Sequence, residues 1–253
     1  MTTTSPSAPR LRVHDDADAL GRAAAAEAGE ILRGALDDRQ TVRLMLAAAP
    51  SQAATLGWLL REPGIDWARV DAFHMDDYIG LAADAPQGFG NWLTVRFFDR
   101  LGTAATFHRI DTANAPDAEA VRYGEQMGDA PFDLVLLGLG VNGHLAFNDP
   151  PAEFAGVEGA RVVELDMVSR QQQVDEGHFP NTDAVPSTAI TVTISRLLNA
   201  DRIVGSVPGA VKRQAVWNTL NAPIGPDNPG TALRTHPAVS LHVDRHSDPG
   251  GIR

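Results

Sequence analysis

The chain has 253 residues, 43% of them hydrophobic, a net charge of −11 and no cysteine. That length and apolar content can bury a sizeable core, as one large domain or two small ones. The acidic balance argues against a nucleic-acid partner, which calls for a basic stripe, and the lack of cysteine excludes disulfides, thiolate metal sites and thiol nucleophiles.

No apolar run approaches the roughly 20 residues that span a bilayer and no hydrophobic signal region opens the chain, so no membrane association is expected and the cytoplasm is the default location. Met1 to Pro9 is a Ser/Thr/Pro/Ala tail, and a disordered segment over residues 1–10 ahead of one domain over 11–253 is expected. Behind the capping residues Asp15 and Asp16, Leu20, Ala24, Ala28, Ile31 and Ala35 recur at helical spacing and predict a first amphipathic helix. Thr41 to Ala47 reads as a buried strand, followed by the short loop Ala48-Ala49-Pro50-Ser51-Gln52 and a helix through Leu56, Leu59 and Leu60. Val70 to Phe73 is a second strand. Asn91 is placed to cap a helix carrying Leu93, Phe97 and Leu101; Thr106 to Ile110 reads as a strand and Asp117 to Met127 as a helix.

Leu134 to Leu137 is apolar throughout, the pattern of a strand buried on both faces. Ala160–Leu165, Thr188–Ile194, Ile203–Val207 and Val239–Val243 read as further strands, with a helix from about Ala210 to Leu220 and a Pro/Gly/Asn-rich loop over Asn221–Gly230. Such alternation calls for an α/β fold, a mostly parallel Rossmann-like sheet with helices on both faces.

The richest stretch follows the Leu134–Leu137 strand: Gly138-Leu139-Gly140-Val141-Asn142-Gly143-His144-Leu145-Ala146-Phe147-Asn148-Asp149-Pro150-Pro151. Its glycines allow a sharp turn and the close approach of another group. Beyond the turn, His144, Asn148 and Asp149 arrive at the carboxyl end of a central strand, where ligands bind in open α/β sheets. The six residues from Gly138 satisfy the G-x-G-x-x-G spacing of dinucleotide sites. That fingerprint needs a helix opening at the glycines within the first βαβ unit, whereas these glycines follow about the fourth strand and Pro150-Pro151 blocks a long helix. Neither a nicotinamide nor a flavin cofactor is expected.

A second polar segment, Phe73-His74-Met75-Asp76-Asp77-Tyr78-Ile79-Gly80-Leu81, ends the strand before it. Two adjacent carboxylates disfavour each other's ionisation and can raise one pKa toward that of a proton-transfer base; an acidic turn capping a neighbouring helix is the alternative. No metal-ligand spacing emerges among the eight histidines and the acidic residues.

Both segments closely resemble signatures of the glucosamine-6-phosphate deaminase/isomerase family, which is related to the 6-phosphogluconolactonases. Met75–Leu81 resembles the family's Met-Asp-Glu-Tyr-x-Gly-Leu, and Gly138–Asp149 resembles Gly-x-Gly-x-Asp-Gly-His-x-Ala-Phe-Asn-Glu. The Gly-His-Leu-Ala-Phe-Asn run is similar to the deaminase branch rather than the lactonase branch. The resemblance covers nearly everything from Val13 to Asp244 and implies a single Rossmann-like domain and a phosphorylated amino sugar as small-molecule partner. It implies no cofactor and no metal, and it allows a homo-oligomer, since relatives are often oligomeric.

By position, the resemblance gives Asp76 the proton transfer between C2 and C1 of the open-chain sugar and His144 the opening of the ring, with Asp149 orienting His144. Asp77 stands in the family's glutamate place. Asn142 stands where the family has aspartate, and an amide neither accepts a proton nor supplies the charge that favours an imidazolium. Lys212 matches the lysine of the family's phosphate site, Ser51 and Gln52 can add side-chain donors at the helix N-terminus beside it, and Asp77 and Gly140 are also expected on the substrate. The Ala48–Gln52 loop has no glycine where the family loop does, and Pro50 removes one backbone donor. Arg170 is offered for the family's lid arginine, and Arg234 to Pro237 is polar enough to line a site. The implied reaction turns a 2-amino-2-deoxyhexose 6-phosphate into a ketohexose 6-phosphate and ammonia. The alternatives are hydrolysis of a sugar-phosphate lactone and a sugar-phosphate sensor with little turnover.

Overall fold

A computed structural model describes residues 8–250. Of the tail expected over residues 1–10, residues 1–7 lie outside the described residues, and Arg10 already opens a strand.

The first half of the described chain runs β1 (Arg10–His14), α1 (Ala17–Asp38), β2 (Val42–Leu46), α2 (Ala53–Leu59), β3 (Val70–His74), β4 (Asp76–Tyr78), α3 (Phe89–Arg96), β5 (Thr106–His108) and α4 (Pro116–Met127). The second half runs β6 (Leu134–Leu137), β7 (Ala160–Glu164), α5 (Met167–Asp175), β8 (Thr188–Val192), α6 (Ile194–Leu198), β9 (Ile203–Val207), α7 (Arg213–Asn221) and β10 (Val239–Asp244).

Seven strands form one sheet in the order β1-β10-β9-β6-β2-β3-β5, every pair of it parallel. Both of its faces are buried, as the continuous apolar runs require. In β6, Leu134 and Leu136 pack with Ala24, Leu32 and Leu56 from α1 and α2. Val135 and Leu137, on the opposite face, pack with Tyr123, Met127 and Val216 from α4 and α7. The first helix begins where its cap predicts: Asp16 accepts the backbone N–H of Ala19 at 2.8 Å.

The remaining strands make a separate antiparallel sheet in the order β4-β8-β7. Thus the runs at 160 and 188 are strands, as their apolar patterns predict, but of a second layer. The acidic segment after β3 is a strand as well, a short one paired to β8. The predicted Asn91 cap is displaced: α3 begins two residues earlier, and the Asn91 amide donates to the carbonyls of Ala83 and Ala85 at 2.9 and 2.8 Å. Two further helices, α5 and α6, have too weak an apolar periodicity to be read from the sequence.

Chain order fixes where a ligand goes. From β2 the chain moves outward to β3 and β5, then returns to lay β6 against the other side of β2. The carboxyl ends of β2 and β6 therefore flank a topological switch point, where the connecting loops diverge and leave a crevice.

Candidate active site

The crevice is real. About 490 Å³ of space, partly open to solvent, lies over the carboxyl ends of β2, β3, β6 and β9, lined among others by Ser51, Gln52, Asp76, Gly140, His144 and Lys212. Six of the nine residues expected at the site converge there. They arrive on four connections, after β2, β3, β6 and β9, so the sheet edge, rather than any single loop, assembles the group.

His144 is delivered by a tightly tied loop. Gly143 turns the chain at φ +84°, and its carbonyl accepts the N–H of Gly230 at 2.8 Å. Asn148 is fully buried and donates to the carbonyls of Leu145 and Val192 at 2.8 and 2.9 Å, which pins the loop to β8. Gly140 is the floor under the imidazole: a Cβ there would lie 2.3 Å from ring atoms of His144.

The His144 Nδ1 is 3.0 Å from Asp149 Oδ1 and 2.9 Å from Ser169 Oγ, and the Ser169 hydroxyl also donates to Asp149. Engaging Nδ1 leaves Nε2 as the ring nitrogen available to a ligand. Burial opposes the charge of Asp149, but the hydrogen bond and charge of His144, with hydrogen bonds from Ser169 and Asn142, hold its carboxyl down at about 2. The side-chain amide of Asn142 donates to Asp149 at 3.0 Å and to Asp166 at 3.4 Å, while its oxygen accepts the N–H of His144 at 3.1 Å.

Asp76 is buried, and its pKa is raised well above the ordinary carboxyl value, first by burial and then by the neighbouring charge of Asp77. Its neighbour departs from expectation. Strand alternation turns the Asp77 carboxylate away from the cavity, where it accepts the N–H groups of Tyr78, Phe89 and Gly90 at 2.9 Å each. Asp77 is thus held at the N-terminus of α3 rather than facing this cavity; burial pushes its own carboxyl up, and the three backbone donors and Arg109 oppose that shift.

At the β2 end, the Gln52 amide is already committed, donating to the Ser206 carbonyl at 3.0 Å and to Ser51 Oγ at 3.3 Å. Lys212 is buried in the cavity wall; burial lowers its pKa, and Glu176 partly offsets this. Arg170 does not reach the cavity: its guanidinium donates to the carbonyls of Thr182 and Val185 at 2.6 and 3.1 Å. Arg234 donates to the Ala222 carbonyl and His236 pairs with the Ala200 carbonyl, at 2.6 and 2.7 Å, so neither of them lines the cavity.

Sequence reasoning missed the contribution of α5. Asp166 caps it by accepting the Ser169 N–H at 2.6 Å, and Gln172, Gln173 and Glu176 line the cavity. Gln172 ties the helix to the His144 loop by accepting the Val141 N–H at 2.9 Å. The available signal was Asp166 three residues before Ser169, a cap spacing, followed by a polar run too rich in glutamine for an ordinary exposed face.

The family model for glucosamine-6-phosphate isomerases/6-phosphogluconolactonase matches residues 15–241. Glucosamine-6-phosphate deaminase 1 of Bacillus subtilis is 31% identical over 226 residues, spanning 87% of this chain and 92% of that protein. The glucosamine-6-phosphate deaminase of Streptococcus sanguinis is 28% identical over 74% of this chain and 77% of its own. Among solved structures, a monomeric glucosamine-6-phosphate deaminase superposes with a TM-score of 0.86 at 27% identity, covering 96% of this chain and 100% of that one. A 6-phosphogluconolactonase from Shewanella baltica, with a TM-score of 0.78 at 18% identity over 95% of this chain and 99% of that one, shares the fold. The chain belongs to the glucosamine-6-phosphate isomerase/6-phosphogluconolactonase family.

Proposed function

We propose that this protein is an amino-sugar-phosphate deaminase/isomerase, converting a 2-amino-2-deoxyhexose 6-phosphate and water to a ketohexose 6-phosphate and ammonia. The observation that carries this reading is the convergence on one cavity of a buried carboxyl with raised pKa, Asp76, and a carboxylate-oriented imidazole, His144. The reaction needs both. His144 Nε2 moves a proton between the ring oxygen and the anomeric hydroxyl as the sugar opens. Asp76 then takes the proton from C2 and returns it to C1 while O1 gains a proton and the amine nitrogen loses one, which carries the double bond from C1–O to C2–N. Water adds at C2 and the amine leaves as ammonia.

A carboxyl with raised pKa suits the second role, because the group must hold a carbon-derived proton and then give it back. The orienting role falls to Asp149 with Ser169, which together engage Nδ1 and leave Nε2 toward the substrate. Lys212 and the Ser51 turn are the phosphate end of the cavity in this reading, supported by the burial of a lysine whose charge needs an anionic partner. The deaminases named among the relatives support the amino sugar over a lactone, as does the Gly-His-Leu-Ala-Phe-Asn run. The test is ammonia release measured across 2-amino sugars, each with and without a 6-phosphate, beside consumption of a sugar-phosphate lactone. Lactone consumption without ammonia release would overturn the reading.

A further inference from the structure

The lysine at the proposed phosphate end already faces a carboxylate. Glu176, the C-terminal cap of α5, points Oε1 at Lys212 Nζ across 3.5 Å. The same oxygen accepts the Gln172 side-chain N–H at 2.7 Å, and Gln172 is itself tied to the Val141 N–H of the His144 loop at 2.9 Å. The carboxylate is therefore held in place rather than free to swing away. Its second oxygen, Oε2, is buried and has no hydrogen-bond partner among the described residues. Both residues line the cavity.

We propose that Glu176 is a specificity-determining residue, an internal counter-ion to Lys212 that opposes the binding of a phosphate beside it. The proposal rests on the reading of Lys212 as the phosphate-binding cation. A phosphate hydrogen-bonded to Nζ brings its oxygens close to a carboxylate that cannot retreat, and like charges repel more strongly beside buried groups than in bulk water. A neutral sugar hydroxyl meets the opposite situation: it can donate to the unused Oε2 while accepting from Lys212. Glu176 thereby narrows the preference for a phosphorylated over an unphosphorylated amino sugar.

Geometry argues against the simpler role of holding Lys212 in place. A distance of 3.5 Å is longer than the roughly 2.7–3.2 Å of a well-formed N–H···O bond, so the pair is weak as an orienting contact. An orienting carboxylate would also not leave one oxygen buried and unused, an arrangement that costs stability unless a ligand completes it.

The test is Glu176→Gln, which keeps the side-chain volume and an oxygen for the Gln172 donor, with Glu176→Ala as a second variant and thermal melts to establish that both fold. Ammonia release is measured with glucosamine 6-phosphate and with glucosamine, and inorganic phosphate is titrated calorimetrically into each protein. Loss of one nearby like charge should lower KM for the phosphorylated sugar about tenfold in both variants, with a smaller change in kcat, and should tighten inorganic phosphate similarly. KM for the unphosphorylated sugar should rise. A KM for the phosphorylated sugar that rises or stays constant, with phosphate affinity following it, overturns the proposal and makes Glu176 a support for Lys212. If no variant and no wild-type protein releases ammonia, the functional reading fails separately, and the phosphate titration alone decides the role of Glu176: tighter binding upholds it and equal or weaker binding overturns it.

Discussion

The side-chain amide of Asn142 donates to Asp149 Oδ1 at 3.0 Å, the same oxygen that His144 Nδ1 approaches at 3.0 Å. The amide also reaches Asp166 at 3.4 Å, so a neutral donor bridges two carboxylates that would otherwise repel each other across the mouth of α5. The sequence pattern casts Asn142 as a lost aspartate. In this molecule it is a matched part, because Asp166 adds a carboxylate that a third acid would have to face.

Asn142→Asp should therefore not simply restore a more active enzyme. It places three carboxylates within hydrogen-bonding distance, and should cost about 1–3 kcal/mol at neutral pH, the range for a buried polar group that loses its partner. Like charges in one site raise the pKa of one member. The folded-state pKa then lies above the unfolded value, so the deficit is present at neutral pH and disappears as pH falls through the raised pKa toward the ordinary carboxyl range. Thermal melts of variant and wild type at neutral pH and near pH 4 measure this. A difference in melting temperature that is the same at both would show that the new carboxylate does not interact with Asp149 or Asp166.

Gly140→Ala tests the floor under the imidazole. The added methyl would lie 2.3 Å from the ring of His144, far inside contact distance, so either the ring or the loop must move. Overpacking of this kind costs about 1–3 kcal/mol of stability, and displacing a catalytic group by about 1 Å can cost on the order of 10² in turnover. The loss of kcat should exceed anything explained by partial unfolding at the assay temperature. Full activity in a folded variant would mean that the ring has room to shift without leaving its productive position.

What the sequence made legible follows from how each signal is encoded. Strand β6 announces itself because all four of its residues, Leu134 to Leu137, are apolar, as a strand buried on both faces requires. The His144 loop is legible because its glycines and polar residues lie within a dozen positions. Helix α5 is the opposite case. It faces the cavity with Gln172, Gln173 and its cap Glu176 and buries Ser169 against His144, so its buried side is polar and the apolar stripe that marks a helix is missing. Its partners lie far away in sequence, Val141 for Gln172 and Lys212 for Glu176, and no local pattern reports them. The Asp76-Asp77 pair shows the limit from another side: composition places both acids at one strand end, but only the pleat of β4 sends one to the cavity and the other to the α3 cap.

Lys212→Ala removes the buried cation. If it holds the phosphate, binding of a 6-phosphorylated amino sugar should weaken by about 1.5–3 kcal/mol, the range for hydrogen bonds to charged groups, with a much smaller effect on the unphosphorylated sugar. Because the truncation also leaves Glu176 facing a cavity without its counter-charge, the double variant Lys212→Ala with Glu176→Gln should recover part of the loss. Equal losses for both sugars would show that Lys212 does not read the phosphate.

Asp76→Asn should move activity and stability in opposite directions. Without a carboxyl to carry the proton between C2 and C1, turnover should fall by about 10²–10⁴-fold, the usual share of a positioned base, while substrate affinity changes much less. Stability should rise. Burial and the charge of Asp77 raise the folded-state pKa of Asp76 well above its ordinary value, so the folded protein binds more protons than the unfolded chain as pH passes above the ordinary carboxyl range. The contribution of Asp76 to wild-type stability is then fullest at low pH and declines as pH rises toward the raised pKa. Asparagine removes that titration, so its advantage should be largest at neutral pH and vanish near pH 4. Melting curves of the two proteins at both pH values, beside steady-state kinetics, separate the two effects. Retained turnover would remove Asp76 from the proton-transfer role. A variant less stable than wild type at neutral pH would show that the Asp76 carboxylate makes a favourable contact outweighing its burial beside Asp77.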